Sequence, residues 1–398
     1  MKVFFRTDMI RRHSRRPRLR VLGTHEILIE PIRRQAESDL GIIVEDQVAD
    51  SMDAVRRAVT APDSFDIYHQ WHTVDLIWSS RSIQPIDTGK IAGWSEIALW
   101  SKDQIRSDGI GDGPQGALFL QKDGTLHSKP SDRASMVPTL HGVDAPGYIR
   151  SVRNHIVGKE PDSWSWLLDD RWHGKVALAS DPSVGIIEAA LALESSGHLK
   201  FNDIGNLDEE EIDSIASILI RKKKIGHFRG FWSYGEEAER LMSRGGVCLQ
   251  SIWSPSVFRL RQTGVDVVCS APVEGYRGWY AGLCLSSRVT GAVLEAAYGY
   301  LNWWLSGKPG AILSRQGYYA ATPQRARSFL EEKEWNFWYA GQAAVSDLVD
   351  PFGGVCVRSG DIRDGGSYAT RMSHVRVWNS FMDEQNYLVR RWREFLNA

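Results

Sequence analysis

The feature that most constrains the fold is an alternation of short strand and helix that begins at Leu19 and resumes at Val176. Leu19 to Leu22 reads as a strand, Gly23 to Glu26 as a loop, and the segment entered at Pro31 and stopped by Gly41 as a helix. A second strand, Ile42-Ile43-Val44, closes this βαβ unit. A further helix over Met52 to Thr60 ends at Ala61-Pro62-Asp63, and the strand Asp66-Ile67-Tyr68 runs into Gln70-Trp71-His72. In α/β sheets wound this way, ligands collect beyond the carboxyl ends of the strands. Thr24 to Glu26 and Gln70 to His72 therefore lie at a potential binding edge.

The same grammar returns in the second half. Trp164-Ser165-Trp166-Leu167-Leu168 precedes a strand at Val176 to Ala179, and Ser180-Asp181-Pro182 opens a helix that Gly197 closes. A helix over Glu209 to Ile220 carries Arg221-Lys222-Lys223-Lys224 at its solvated end, where cations suit the helix dipole. Strands follow around Cys248 to Gln250 and Val265 to Cys269. Residues 285 to 305 read as one long amphipathic helix through Val289, Val293, Ala297, Tyr300 and Trp304, and Trp378 to Leu396 reads as another. Both stripes are assigned to core. At 398 residues the chain is long enough for two such units, each with its own core.

Composition and charge exclude several classes. With 42% apolar and 10% aromatic residues the chain folds rather than staying disordered. A net charge of -1 lacks the cationic footprint of a nucleic-acid binder. Residues 1 to 20 are nevertheless strongly basic, with eight Lys or Arg against Asp8 alone, so the remainder is mildly acidic. Residues 1 to 18 are taken as a disordered basic leader. Arg20 runs straight into Val21-Leu22-Gly23-Thr24 without the apolar stretch of a secretory signal, which leaves the true start and the route of export open. No run is long and apolar enough for a membrane-spanning helix. Cys248, Cys269, Cys284 and Cys356 fit neither a CxxC pair nor a zinc site and are read as free thiols. Gly111-Asp112-Gly113-Pro114-Gln115-Gly116 spells a dinucleotide fingerprint, but without a leading strand or a following helix it reads as a glycine-rich turn.

Catalytic signatures are absent: there is no HExxH, no GxSxG and no P-loop. The sixteen tryptophans are more informative, because Trp71, Trp253 and Trp279 stand beside polar residues at strand ends or loops. Aromatic walls with a few polar anchors describe a small-molecule pocket.

From residue 19 onward the chain resembles the periplasmic solute-binding proteins of ABC importers, in the spermidine/putrescine-binding branch. The resemblance is carried by ordered landmarks: Thr24-His25-Glu26, Phe65-Asp66-Ile67-Tyr68, Asp162-Ser163-Trp164, Trp172-His173-Gly174-Lys175-Val176, Ser180-Asp181, Ile252-Trp253, Gly278-Trp279, Gly317-Tyr318-Tyr319 and Thr322-Pro323. It implies a two-lobed α/β fold of the type II binding-protein kind, with strands crossing a hinge near 146, 281 and 350. Residues 19-146 and 282-349 would form lobe 1, and 147-281 and 350-398 lobe 2. A ligand held between the lobes would close them, a membrane permease would read the closed shape, and the protein would act in the periplasm as a monomer without cofactor, metal or catalysis.

The same resemblance implies carboxylates that neutralise ammonium groups and rings that pack a methylene chain. Glu26 matches one such carboxylate, whereas the positions expected for others hold Pro182, Gly185 and Ala281. A spermidine left with unpaired ammonium groups would be costly to bury. In their place, the helix start at Asp181-Pro182-Ser183 and Arg277 suggest, with Glu26, a site for an amine at one end and a carboxylate at the other. The alternative is that Asp181 is a helix cap and Arg277 a solvent-facing loop residue. The expected ligand contacts are Thr24, His25, Glu26, Trp71, His72, Asp181, Ser183, Trp253, Arg277, Trp279 and Tyr319. For His25 and His72 a purely structural role stays open. Of Tyr318 and Tyr319, one faces the cleft and the other the core, and Tyr319 is assigned to the cleft. The rivals are an enzyme on a similar scaffold, built from His25, His72 and Glu26, and a ligand-sensing receptor subunit.

Overall fold

A computed structural model describes residues 16–98 and 113–398. The basic leader falls almost wholly outside them, as do Gly111 and Asp112 of the glycine-rich segment. The chain opens with β1 (Arg18–Gly23), α1 (Glu30–Leu40), β2 (Ile43–Val48), α2 (Ser51–Thr60) and β3 (Ile67–Trp71). Pro31 sits in the first turn of α1, and Gly41 ends it in the left-handed region at φ 65°, donating its N–H to the Glu37 carbonyl. Arg18 and Arg20 belong to β1, and Arg20 is tied down by Asp66 at 2.8 Å. β1 runs parallel to both β2 and β3.

β4 (Val137–Ile149) then leaves this sheet for a second one. It is followed by β5 (Val176–Ala179), α3 (Pro182–Ser195), α4 (Glu209–Lys224), β6 (Phe228–Trp232), β7 (Leu249–Ile252), α5 (Ser254–Gln262) and β8 (Val267–Cys269). β5 is parallel to β6 and β7, while β7 and β8 run antiparallel to β4. β9 (Tyr276–Ser286) returns antiparallel to β4 and β3, and is followed by α6 (Gly291–Trp304), β10 (Tyr319–Ala320), β11 (Val375–Trp378) and α7 (Gln385–Asn397). Because β4 is shared, the strands form one hydrogen-bonded sheet ordered β6-β5-β7-β4-β9-β3-β1-β2.

Packing divides this sheet into two lobes. One core joins Leu19, Val21, Ile67, Leu140, Leu283 and Trp304, and the other joins Trp166, Leu178, Ile187, Leu249, Trp338 and Trp392. β4 and β9 contribute to both cores, with Leu140 and Leu283 in the first and Val143 and Tyr276 in the second. Phe337, Trp338, Tyr339, Ala344 and Leu348 pack into the second core.

Two expectations are corrected. The helix expected from 285 starts only at Gly291, since Leu285 is still a central strand residue paired to Ile67 and fully buried. Trp378 ends a strand beside Gly278, so the C-terminal helix begins at Gln385 and excludes Phe381 and Met382. Trp164–Leu168 is a 3-10 helix. Gly113–Gln115 form one 3-10 turn against the Trp378 ring, followed by a small hairpin and not by a helix. All four cysteines are free.

Candidate ligand-binding site

Parallel strands of both lobes aim their carboxyl ends at one cleft. β1 delivers Thr24, His25 and Glu26, β2 delivers Asp50 and Ser51, and β3 delivers Trp71 and His72. From the second lobe, β5 delivers Asp181, β6 delivers Ser233 and Tyr234, and β7 delivers Trp253. Asp144, Arg277, Trp279 and Tyr318 line the cleft where the lobes join. It holds about 670 Å3 of empty space, counted out to the solvent at its mouth.

The wall on the first lobe is aromatic. Trp71 and Trp279 meet with centroids 5.0 Å apart at 65°, and Tyr318 stands 5.1 Å from Trp279 at 80°. These edge-to-face contacts hold the rings at fixed angles. The Trp71 indole N–H donates to Thr24 Oγ1 at 2.9 Å, fixing its orientation. Opposite them, Trp253 packs edge-on against Trp232 at 5.1 Å.

The charges are arranged unequally. Among the described residues, Glu26, Asp50 and Asp181 line the cleft and none has an ion-pair partner. Arg259, which feels the charge of Glu26, is itself paired with Glu239 at 2.6 Å. Among the described residues Arg277 is the one Lys or Arg in the cleft wall, and its side chain is 2% exposed. It faces Asp144 across the β4–β9 register, with Nη2 donating at 2.7 Å, and its Nε lies 3.3 Å from the fully buried Glu188. Burial pushes the Glu188 carboxyl up to about 7, against the pull of Arg277. Burial also raises Asp144, again opposed first by Arg277.

Both features of the anion-binding expectation are engaged within the protein. Arg277 is no solvent-facing loop residue, yet its charge is already met by two carboxyls. The start of α3 is also occupied from within: Asp181 accepts from the Ser183 N–H at 2.9 Å and Ser183 Oγ at 2.7 Å, and Pro182 has no N–H to offer.

Of the eleven expected contacts, nine line the cleft. Ser183 sits behind Asp181, its hydroxyl spent on that carboxylate. Tyr319 points the other way, into a buried cluster with His141, Tyr339 and Tyr368, and Tyr318 takes the cleft position. His25 is exposed at the mouth, while His72 is buried with its backbone at φ 39°. Burial lowers the His72 imidazole to about 4, opposed by Asp181. Asp50, Asp144, Ser233, Tyr234 and Tyr318 escaped the sequence reading. Asp50 and Tyr234 had a usable signal, since both follow strands of the kind already used for Glu26. Among the described residues no group of three or more His, Cys, Asp or Glu is placed to hold a metal ion, and no helix is long and apolar enough to cross a membrane.

No protein-family model matches the sequence, and no curated protein sequence matches it. Solved structures do. A spermidine/putrescine ABC transporter substrate-binding protein from Streptococcus pneumoniae is 15% identical, with a TM-score of 0.61 over 95% of this chain and 99% of that one. A GABA receptor is 14% identical, with a TM-score of 0.60 over 96% and 97%. A PBP from A. tumefaciens B6, solved in complex with glucopine, is 14% identical, with a TM-score of 0.58 over 96% and 99%. In its described residues the chain has the two-lobed α/β fold of these substrate-binding proteins.

Proposed function

We propose that the protein is the solute-binding component of an ABC importer and captures a small amine-bearing solute between its lobes. The observation that carries this reading is the set of three carboxylates, Glu26, Asp50 and Asp181, that have no cationic partner among the described residues and line the same cleft as the Trp71–Trp279–Tyr318 wall. An ammonium group gains from both, as a counter-ion for the acids and as a cation over the rings. Carboxylates from both lobes also give closure its driving force, because only a bound cation is held by the two at once. Polyamines, GABA and an opine are the solutes named for structures of this fold, and all carry an amine. A membrane permease is the partner this reading implies, and the periplasm the compartment. A dedicated carboxylate clamp is disfavoured, since Arg277 and the α3 N-terminus are already neutralised.

The test is a thermal-shift screen of putrescine, spermidine, GABA, neutral amino acids, simple dicarboxylates and ferric iron. A solute at about 100 times its Kd adds roughly 2.7 kcal/mol to stability. Amines should raise the midpoint, and Glu26→Gln should remove most of the rise. A rise with dicarboxylates or ferric iron alone would refute the reading.

A further inference from the structure

Five Trp and Tyr residues line the cleft, and they come from both lobes. Trp71, Trp279 and Tyr318 meet in one corner. Trp71 is inclined by 65° to Trp279 and by 68° to Tyr318, and Trp279 by 80° to Tyr318, with centroids 5.0 to 6.2 Å apart. Planes so inclined cannot all turn their edges in the same direction, and a ring face is the part that attracts a cation. Trp253 and Tyr234 stand on the second lobe, both half-buried like Trp71, so each side of the cleft carries rings that are only partly covered.

The polar groups beside these rings are largely spent within the protein. Trp71 donates its indole N–H to Thr24, Ser233 Oγ lies 2.7 Å from Ser180 Oγ, and the Tyr234 hydroxyl accepts from Arg240 at 3.2 Å. Asp50 and Asp181 each give one oxygen to the start of the helix that follows, accepting from the Asp53 N–H at 2.7 Å and the Ser183 N–H at 2.9 Å. The positive end of each helix offsets part of that charge. Among the described residues Glu26 has no such bond, and its charge acts on the Tyr318 hydroxyl. The cleft thus offers a cation several rings, one uncommitted carboxylate and few free acceptors.

A primary ammonium brings three N–H donors that lose water on entry and need acceptors in return, whereas a quaternary ammonium brings none and spreads its charge over methyl groups that pack on ring faces. We infer that the solute presents one quaternary ammonium group to the Trp71–Trp279–Tyr318 corner, with Glu26 as its counter-ion. The inference rests on the reading of the cleft as an amine site and narrows it from amines in general to a methylated monocation.

Calorimetry at neutral pH with four solutes that differ only in N-methylation, from ethanolamine through its monomethyl and dimethyl forms to choline, tests this. All four carry one positive charge and the same hydroxyl. Affinity should climb along the series, with choline bound about tenfold or more above ethanolamine, the direction and scale expected for burying three added methyl groups. The neutral carbon analogue of choline, with a tert-butyl group in place of trimethylammonium, keeps the shape and loses the charge, and should bind about tenfold more weakly than choline. Trp71→Leu should flatten the series, and Glu26→Gln should weaken all four solutes by a similar factor. A series that stays flat or falls with methylation, or a tert-butyl analogue that matches choline in wild-type protein, would overturn the inference alone. Binding of putrescine or GABA with none of the four would do the same. If no amine binds, the amine reading of the cleft fails and the inference with it.

Discussion

Trp279 packs onto Gly142 so tightly that a Cβ on Gly142 would stand 2.5 Å from the indole Cζ2. The two face each other across the β4–β9 register, so a glycine in the middle of a long buried strand makes room for the ring that walls the cleft. Gly142→Ala is expected to push Trp279 out of its contacts with Trp71 and Tyr318. The overpacking should cost about 1–3 kcal/mol. Urea melts and amine titrations read both effects, and a variant with wild-type stability and affinity would show that the ring has slack.

Arg277 anchors the base of the cleft. Removing it leaves Asp144 and Glu188 buried without their cation, a loss of about 3–5 kcal/mol for breaking a buried pair. Arg277→Leu should show this in denaturant unfolding, and Arg277→Leu combined with Asp144→Leu and Glu188→Leu should recover most of it. A loss below about 1 kcal/mol would place Arg277 with exposed ion pairs instead.

Much of this site was legible because strand ends are legible. Glu26, Trp71 and Trp253 follow short apolar runs bounded by turn residues, and the rule that ligands gather at the carboxyl ends of parallel strands then groups them. Asp144 was not, because a carboxylate within the buried thirteen-residue β4 is explained first by Arg277, its register partner on a strand more than a hundred residues away. Nor was the choice between Tyr318 and Tyr319, which turns on the pairing of Tyr319 with His141. The missing acid at position 185 has a local cause that sequence does not show: a Cβ there would lie 2.2 Å from the Trp392 Cζ2 and 2.8 Å from the Ala179 carbonyl oxygen. Gly185→Glu is therefore expected to destabilise the second lobe rather than restore an anchor, and a variant of wild-type stability with tighter spermidine binding would contradict this.

Glu188 gives a pH dependence of known sign. Its carboxyl titrates near 7 in the folded protein and near its ordinary value when unfolded, so the folded state holds the proton more tightly. Its protonated form favours folding fully below about 4.5, and that advantage is lost as pH rises through 7. Stability measured for wild type relative to Glu188→Gln should therefore fall across this window, by up to about 1.4 kcal/mol per pH unit. His72, lowered to about 4, acts in the opposite direction as pH drops below 6.5, which is why the difference between the two proteins is the quantity to follow. A difference independent of pH would mean that Glu188 stays ionised beside Arg277.

Tyr318 and Tyr319 separate binding from packing within one dipeptide. Tyr318 closes the aromatic wall against Trp279, whereas Tyr319 lies under the Arg363 guanidinium at 4.7 Å and against Tyr368 at 4.6 Å in the second core. Tyr318→Leu should weaken putrescine or GABA binding by about tenfold, the scale of one lost cation–π contact in a desolvated site, with a small effect on stability. Tyr319→Leu should do the reverse, costing about 3 kcal/mol or more as a truncated core aromatic. Affinity retained in the folded fraction of the second variant and lost in the first would assign the cleft to Tyr318. The opposite pattern would return that assignment to Tyr319 and require the pairing of Tyr319 with His141 to shift by one residue, since one step along a strand exchanges its two faces.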